Sequence, residues 1–371
     1  MARVLHTFEP PDGGVAEHVV QLATNLPAHG HELVVAGPRE TAFYAPLEAA
    51  GIRCVRLPMG RGYSRPQDEL AATRELTALL RAERFDLVHC HSAKAGIIGR
   101  VAAARAGVPA IYSPHGLPFV GPVSRARRIF GIAAERRMAR RTAAFLFVSD
   151  AERRFALEAG VGAGRPMHVV HNGCDAGPPV AADPALLAHA AGGPLAAMVT
   201  VLRPAKGIET FIAAARSVLA AAPDARLALV GSGPERERFA ALIGEHGLAD
   251  EPRFAVFPWR PPMAAHLEAL DVLALPSEME AFPLSLVEAM AHGIPQVASD
   301  VGGIPEAVTS ETGILVPPRD PDALAQALVA LLADPERRAA MAHASRARHA
   351  EHFTLERLVS GVDGVYRAVL A

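Results

Sequence analysis

Lysine is almost absent from this sequence of 371 residues, in which arginine supplies nearly all the positive charge. The two lysines are Lys94 and Lys206, and each is therefore a candidate for a specific contact. Cysteine is scarce as well. Because Cys54, Cys90 and Cys174 lie far apart and form no C-x-x-C pair, the sequence predicts neither a disulfide framework nor a structural zinc site.

Long hydrophobic runs are also missing. No apolar stretch reaches the length that crosses a bilayer, and the first residues, MARVLHTF, are typical of a strand rather than of a signal peptide. We therefore expect a cytoplasmic protein that contacts the inner membrane face at most peripherally. No nucleic-acid partner is expected. The hydrophobic share of 50% and the charged share of 20% fit a globular protein with two domains.

Charge is divided unevenly between the halves of the chain. Residues 1–175 have a formal net charge of +6, whereas residues 176–371 have one of −8. This difference suggests two domains that bind different ligands.

Apolar runs alternate with helical periodicity along the whole chain. The predicted strands are 3–8, 31–37, 52–58, 85–91, 109–113, 144–149, 167–173, 194–202, 226–234, 253–259, 271–277 and 312–318. The alternation predicts parallel βαβ units, in which ligands bind beyond the carboxyl ends of the strands. We predict one domain from residues 1–177, joined by a terminal helix at 354–371, and a second from 178–353, with a loop-rich hinge near 175–194.

Glycines mark two turns where a strand passes into a helix. Gly13 and Gly14 follow the first strand, whereas Gly231 and Gly233 lie at the end of the run 226–234. Such a turn lets backbone N–H groups at a helix N-terminus approach a phosphate. The first turn lacks the G-x-G-x-x-G pattern, so a nicotinamide site is not supported, and a simple tight turn remains the alternative.

Three histidines follow predicted strands in the first half. His89 and His91 end the run 85–91, and His115 follows the run 109–113 in the sequence S-P-H-G. An H-x-H pair can ligate a metal, but no third ligand lies close in sequence. We therefore favour hydrogen bonds to a loop for His89 and His91, and we predict no metal site.

Residues 124–141 form a predicted basic amphipathic helix. It contains seven arginines: Arg125, Arg127, Arg128, Arg136, Arg137, Arg140 and Arg141. A helix of this kind can lie on anionic lipid, although its apolar side lacks Trp and clustered Leu. A solvated outer face is the alternative.

Two glutamates stand eight residues apart in the second half. Glu280 lies on a predicted loop, and Glu288 lies on a helix whose other residues are almost all apolar. A carboxylate on a buried helix requires a partner, for which a ligand hydroxyl and an internal salt bridge are both candidates. Lys206 lies where a strand passes into a helix, which suits a diphosphate. A charge-assisted hydrogen bond there contributes about 1.5–3 kcal/mol.

The order of residues from 276 to 306 carries a family resemblance. It reads E-x7-E, then AM-x-HG-x-P, then S-D-x-G-G-x-x-E, and it resembles the donor-site signature of retaining GT-B glycosyltransferases of the family 4 type. The sequences S-P-H-G around His115, N-G-x-D at 172–175 and V-G-x-G-P at 230–234 are similar to other segments of that family. The resemblance covers essentially the whole chain and is strongest from 194 to 318.

This resemblance implies an α/β fold of the GT-B type, with two Rossmann-like doubly wound parallel-sheet domains and a cleft between them. It implies a hexosyltransferase that moves a hexosyl-type unit from a nucleoside-diphosphate sugar to an acceptor hydroxyl with retention, in glycan, glycolipid or natural-product biosynthesis. UDP is the favoured nucleotide, and GDP remains open. The acceptor is not identified. No cofactor or metal is expected, because positive residues and helix N-termini neutralise the diphosphate.

The resemblance also implies residue roles. Glu280 would hold the sugar, Lys206 with Arg203 would neutralise the diphosphate, and His115 would contact a sugar hydroxyl. Glu288 would bind the ribose. The other residues implied in donor binding are Gly13, Gly14, Gly231, Gly233, Arg260, Phe282, Leu284 and Thr312. The sequence departs from the family at Val201, where the commonest form has an arginine, so the role of Arg203 stays open.

Two other functions remain open. Nucleotide-sugar 2-epimerases share the fold, but they need an acid/base set for which no separate motif is present. A non-catalytic sugar-nucleotide-binding partner subunit is disfavoured by the intact set of Glu280, Glu288 and Lys206.

Overall fold

The computed structural model describes residues 1–60 and 65–371. They form two compact units. The first contains Met1–Asn172 together with Leu355–Ala371, and the second contains Gly173–Thr354.

The first unit is built on a sheet of seven parallel strands. In chain order they are β1 (Ala2–Phe8), β2 (His31–Pro38), β3 (Arg53–Leu57), β4 (Leu87–His91), β5 (Ala110–Ser113), β6 (Ala144–Phe147) and β7 (Met167–Val169). Their order in the sheet is β3-β2-β1-β4-β5-β6-β7. Strand succession therefore changes direction between β1 and β4, which is the position where doubly wound sheets bind ligands.

Helices cover both faces of this sheet. They are α1 (Gly14–Asn25), α2 (Tyr44–Ala49), α3 (Pro66–Ala82), α4 (Ala93–Ala106), α5 (Arg125–Ala139), α6 (Asp150–Glu158) and the terminal α15 (Leu355–Leu370), with a 3₁₀ turn at Leu26–His29. One apolar layer packs α1 and α15 on the sheet, through side chains such as Val19, Val362 and Tyr366. The other packs α3 and α4 on the opposite face. Such two-sided burial explains why the strands read as continuous apolar runs.

The second unit repeats the plan with six parallel strands. They are β8 (Leu195–Val199), β9 (Arg226–Val230), β10 (Phe254–Phe257), β11 (Val272–Leu275), β12 (Gln296–Ser299) and β13 (Gly313–Val316). The helices are α7 (Pro184–Ala190), α8 (Ile208–Ala221), α9 (Arg236–Glu245), α10 (Met263–Leu267), α11 (Leu284–His292), α12 (Ile304–Ala307), α13 (Pro321–Leu332) and α14 (Pro335–His352). The sheet order is β10-β9-β8-β11-β12-β13, so the change of direction lies between β8 and β11.

Two doubly wound parallel sheets confirm the predicted fold class. The structure differs in the segment 175–194, which the sequence predicted to be a loop-rich hinge, because α7 lies within it. Asp183 caps that helix by accepting hydrogen bonds from the N–H groups of Ala185 and Leu186. Pro184 occupies the first turn, where its missing N–H has no cost.

Among the residues that the structure describes, no helix is both long enough and apolar enough to cross a membrane.

Candidate functional site

Two loops meet at the carboxyl edge of the second sheet, where strand succession changes direction. The loop after β8 carries Lys206, and the loop after β11 carries Ser277 and Glu280. Because β8 and β11 are neighbours in the sheet, residues far apart in sequence come into contact here. We call Lys206, Ser277, Glu280 and the backbone of Gly302 and Gly303 the edge site.

An ion pair forms the centre of the edge site. Lys206 Nζ lies 2.7 Å from Glu280 Oε1, and the Ser277 hydroxyl donates to the same oxygen over 2.9 Å. The Glu280 side chain is 11% exposed and the Lys206 side chain is 33% exposed. The carboxylate is therefore fixed from two directions, while part of the ammonium remains open to a ligand.

Two glycines permit the close approach of the loops. Gly207 has φ +74°, and a Cβ there would lie 1.8 Å from the Pro276 carbonyl oxygen. Gly302 has φ +53°, and a Cβ there would lie 1.8 Å from the Glu280 carbonyl oxygen. That carbonyl also accepts a hydrogen bond of 3.2 Å from the Gly303 N–H. Side chains at either glycine would push Lys206 and Glu280 apart.

Gly231 and Gly233 have a packing role in the structure. A Cβ on Gly231 would lie 2.3 Å from the Thr200 carbonyl oxygen, and one on Gly233 would lie 2.5 Å from that of Leu202. These glycines let the turn after β9 pack against the loop after β8. The structure thus shows a packing contact of both glycines with the loop that leads to Lys206.

Helix α11 begins at the edge site. As predicted, it is largely buried, including its first residue Leu284. Glu288 is half-buried on this helix. Phe282, just before the helix, is buried, and its ring packs 5.4 Å from that of Phe353. Phe282 therefore anchors the loop that carries Glu280.

Three further predicted residues lie in this unit. Arg203 is half-buried on the loop that carries Lys206. Arg260 is exposed, and its backbone N–H donates to His266 Nε2 over 3.2 Å. The buried Thr312 hydroxyl accepts a hydrogen bond of 2.9 Å from the Thr309 N–H within its own turn. The structure thus gives the backbone N–H of Arg260 and the hydroxyl of Thr312 roles inside the protein.

In the first unit, Gly13 and Gly14 begin helix α1. Gly13 is the N-cap with φ +78°, a conformation that favours glycine, and a Cβ there would meet no atom within 4 Å. The open space beside Gly13 contrasts with the packed glycines of the second unit. It is consistent with a ligand approaching the helix N-terminus.

Five histidines of the first unit form a cluster: His6, His18, His89, His91 and His115. His89 and His91 lie inside strand β4 and are fully buried. The predicted hydrogen bond to a loop is present for His91, which bonds to His115, but not for His89, which bonds to Ser113 on β5 and to Tyr366 on α15. His91 Nδ1 lies 2.9 Å from His115 Nε2, and His91 Nε2 lies 3.2 Å from His6 Nδ1. The His18 ring stacks edge-on against His115, with centroids 4.6 Å apart.

Burial keeps these imidazoles neutral. It lowers the pKa of His6 to about 3 and that of His18 to about 4, and the pKa values of His89, His91 and His115 fall well below the usual value. Two groups, His6–His89–His91 and His18–His91–His115, each have three ring nitrogens within 4.8 Å of one another. Neutral imidazoles suit zinc, but an ion would have to replace the hydrogen bonds of the shared His91.

A buried glutamate supports the loop of His115. His115 has φ +52°, in the left-handed region that non-glycine residues seldom adopt. Glu152 Oε1 accepts a hydrogen bond of 2.6 Å from the Gly116 N–H, and Oε2 accepts one of 3.2 Å from the Val148 N–H. Burial raises the pKa of Glu152 to about 7, against the effect of these two donors. The carboxyl group thereby ties the loop after β5 to helix α6.

The sequence reasoning missed Glu152, Tyr366, His6 and His18. Ser149 and Glu152 match the S-x-x-E capping pattern, and Ser149 does accept from the Glu152 N–H over 3.1 Å. That pattern could have identified the start of α6. It does not reveal that the carboxylate bonds to Gly116 as well. His6, His18 and Tyr366 lie within apolar runs, where they have no local signal.

Comparisons with known proteins cover both units. The model of the family described as Glycosyl transferases group 1 matches residues 182–348, and the Glycosyl transferase 4-like domain matches residues 13–173. A D-inositol 3-phosphate glycosyltransferase from Acidothermus cellulolyticus is 31% identical, over 97% of this chain and 86% of the relative. An alpha-maltose-1-phosphate synthase from Mycolicibacterium smegmatis is 30% identical, over 98% of this chain and 97% of the relative.

Solved structures share the fold. An Anabaena protein in complex with UDP and glucose has a TM-score of 0.84 at 21% identity, covering 99% of this chain and all (100%) of that one. The matching family models, the relatives that match nearly the whole of this chain and the two doubly wound sheets agree with one another. This chain therefore belongs to the family 4 glycosyltransferases of the GT-B fold.

Proposed function

We propose that this glycosyltransferase moves a hexosyl-type unit from a nucleoside-diphosphate sugar to an acceptor hydroxyl with retention of configuration. The observation that supports the proposal most is the Lys206–Glu280 pair at the carboxyl edge of the second sheet. It places one cation and one carboxylate where a doubly wound sheet binds its ligand.

Lys206 neutralises the diphosphate leaving group. Its ammonium is one third (33%) exposed and sits just before the N-terminus of α8, whose dipole also favours negative charge. When the sugar departs, charge develops on the diphosphate, and a preorganised cation stabilises that charge more than the ground state. Arg203, three residues earlier, adds a second positive group to this loop.

Glu280 holds the sugar by accepting hydrogen bonds from its hydroxyls. Ser277 and Lys206 already bond to Oε1, which leaves Oε2 for a ligand. Glu288, half-buried on α11, accepts from the ribose hydroxyls. His115, in the first unit, contacts a sugar hydroxyl. The leaving phosphate takes the acceptor's proton on the same face of the sugar, which gives retention without a general base from the protein.

UDP is the favoured nucleotide, and GDP is the alternative. A structural neighbour from Anabaena binds UDP and glucose, and a relative that matches 97% of this chain is named for D-inositol 3-phosphate. These names suggest UDP-glucose and D-inositol 3-phosphate as first probes. No metal is required, because Lys206, Arg203 and the helix N-terminus carry the positive charge.

Helix α5 forms a peripheral membrane contact in this proposal. Ile129 is 60% exposed and Phe130 is 76% exposed, beside the exposed Arg127 and Arg128. Apolar side chains flanked by arginine suit the boundary of an anionic bilayer. Co-sedimentation with vesicles of phosphatidylcholine and phosphatidylserine should retain the protein, and Phe130→Ser should weaken retention. Equal retention by vesicles of pure phosphatidylcholine would contradict an attraction between the arginines of α5 and anionic lipid.

Product analysis tests the enzymatic proposal. UDP- and GDP-sugars are incubated with D-inositol 3-phosphate and with other hydroxyl acceptors, and nucleotide release and product configuration are measured by NMR. We expect one donor to yield a glycoside with the donor's anomeric configuration. Conversion of the donor sugar without an acceptor and without a glycoside product would instead identify an epimerase.

A variant pair makes the test specific. Lys206→Ala should lower turnover about 10- to 100-fold, because one charge-assisted hydrogen bond to the leaving group is lost. Arg319→Ala is the matched control, since Arg319 pairs with Glu278 on the same loop and is 64% exposed. Wild-type turnover in Lys206→Ala would refute the role of Lys206.

A further inference from the structure

One continuous chain of hydrogen bonds runs through the first unit and ends at His115. It begins at the Ser113 hydroxyl, which lies 2.8 Å from His89 Nε2. His89 Nδ1 lies 2.7 Å from the Tyr366 hydroxyl, and that hydroxyl lies 2.8 Å from His6 Nε2. His6 Nδ1 is 3.2 Å from His91 Nε2, and His91 Nδ1 is 2.9 Å from His115 Nε2.

Elements from both ends of the sequence supply this chain. His6 lies on β1, His89 and His91 lie on the neighbouring β4, and Tyr366 lies on the terminal helix α15. All the participants are fully buried except His115, which is half-buried. His115 is therefore the end of the chain that reaches the surface.

The chemistry of the groups couples their protons. A neutral imidazole donates from one nitrogen and accepts at the other, and a tyrosine hydroxyl has a single proton to donate. Each hydrogen bond of the chain holds one proton. Once one imidazole carries its proton on Nδ1, every other imidazole must also carry its proton on Nδ1, because all the groups must donate in the same direction along the chain. The chain has two consistent states: all four histidines carry the proton on Nδ1, or all four carry it on Nε2.

Burial keeps the chain neutral, as this coupling requires. A protonated ring would donate from both nitrogens and break the sequence of donors and acceptors. Three charged or titratable groups approach the chain. His18 on α1 lies beside His91 and His115, His31 on β2 lies beside Tyr366, and Asp363 on α15 bonds to His31 over 2.8 Å. The pKa of His18 is itself lowered by burial, so it adds no positive charge at neutral pH.

We propose that the chain Ser113–His89–Tyr366–His6–His91–His115 fixes the tautomer of His115, which makes Tyr366 and His91 positioning residues for the sugar-facing imidazole. Only the statement that His115 contacts the sugar rests on the proposed function. The coupling itself does not depend on it.

The buried Ser113 selects one of the two states. Among the described residues, the only hydrogen bond of the Ser113 hydroxyl is that with His89. If the proton of His89 were on Nε2, the buried O–H of Ser113 would have no acceptor, and an orphaned buried donor is costly. Ser113 therefore donates to His89, and all four histidines carry the proton on Nδ1. His115 then accepts from His91 and keeps an Nδ1–H donor for a ligand hydroxyl oxygen.

Nitrogen NMR of ¹⁵N-histidine-labelled protein tests this assignment. Long-range proton–nitrogen correlations distinguish Nδ1–H, Nε2–H, doubly protonated and metal-bound rings, and single His→Gln variants assign the signals. We expect His6, His89, His91 and His115 to be neutral with the proton on Nδ1 at neutral pH. Mixed tautomers among the four, a protonated ring or the signature of a metal-bound ring would overturn the proposal.

Tyr366→Phe tests the coupling. It removes the one hydroxyl that joins His89 to His6, so the tautomer of His115 should become mixed. Tyr44→Phe is the matched control, because the Tyr44 hydroxyl is also buried and donates to the Pro38 carbonyl over 2.7 Å, outside the chain. It should leave the His115 tautomer unchanged at a similar cost in stability. An unchanged His115 tautomer in Tyr366→Phe would refute the coupling.

Kinetics separate this inference from the proposed function. With the donor identified by product analysis, Tyr366→Phe should lower kcat about tenfold and leave donor affinity unchanged, because a mixed tautomer loses one hydrogen bond. Absence of any transfer activity in the wild-type protein would refute the proposed function and leave the NMR result intact. Mixed tautomers in an active wild-type enzyme would refute this inference alone.

Discussion

Acidification should destabilise the first unit more than the second. Four of its histidines, His6, His18, His89 and His91, are at most 3% exposed, and burial lowers the pKa of each. In the unfolded chain they regain the ordinary pKa of 6.5. Below that value the unfolded state binds more protons than the folded state, so the stability from neutral burial is lost as pH falls.

The magnitude follows from the number of groups. From about pH 7 to about pH 5.5, four histidines that cannot protonate in the folded state cost about 5 kcal/mol. Glu152 acts in the opposite direction, because its pKa is raised to about 7 from the usual 4.5. It takes up a proton in the folded state first, which restores about 2 kcal/mol over the same interval. The net loss of about 3 kcal/mol corresponds to a melting temperature lower by about 10 °C for a unit of this size.

Hydrogen exchange measured by mass spectrometry in urea can resolve the two units. At the acidic pH, peptides from 1–172 should lose their protection from exchange at a lower urea concentration than at neutral pH. For peptides from 173–354, that urea concentration should change less. His91→Gln provides an internal control, because removing one of the four buried imidazoles should reduce the histidine contribution to the pH slope by about a quarter. Equal or greater stability of the first unit at the acidic pH would refute the reasoning.

Two further predictions concern stability and the edge site. Arg100→Met and Glu135→Leu should each destabilise the first unit by about 3–5 kcal/mol, because each leaves one charge of a buried 2.9 Å ion pair uncompensated, and the double variant should melt above either single one. A double variant that loses as much free energy of unfolding as the two single variants together would contradict this prediction. Gly207→Ala should lower thermal stability and nucleotide affinity, since its Cβ meets the Pro276 carbonyl oxygen at 1.8 Å. Gly244→Ala, where a Cβ meets no atom within 4 Å, is the control, and equal melting temperatures for the two variants would show that the loop tolerates a side chain.

The sequence predicts most of the fold because parallel strands buried on both faces are continuous apolar runs. Strand β1, predicted at 3–8, spans Ala2–Phe8, and the terminal helix, predicted at 354–371, spans Leu355–Leu370. Strand β12 escaped prediction, since it is only Gln296–Ser299 and begins with a buried amide. Helix α7 was missed because the glycines and prolines around it dominate the local composition.

The candidate site was predictable in its members but not in its contacts. The rarity of lysine indicates Lys206, and the family motif indicates Glu280. Their 2.7 Å pairing depends on β8 lying beside β11, which is a property of the sheet order and not of either segment. The chain of hydrogen bonds through the first unit joins residues 6 and 366. Contacts of such long range leave no periodic signal in a sequence.

The central claim is that the edge site, together with Glu288 on the adjoining helix α11, binds a nucleotide, and calorimetric titration tests it most directly. UDP and GDP are titrated into the wild-type protein and into Glu288→Gln and Glu278→Gln, with and without EDTA. Glu278 is the matched control because it is a glutamate on the same loop as Glu280, but its carboxylate pairs with Arg319 and not with Lys206. The account predicts saturable binding of one nucleotide that EDTA does not change, that Glu288→Gln weakens and that Glu278→Gln retains. No binding of either nucleotide, or wild-type affinity in Glu288→Gln, would contradict it.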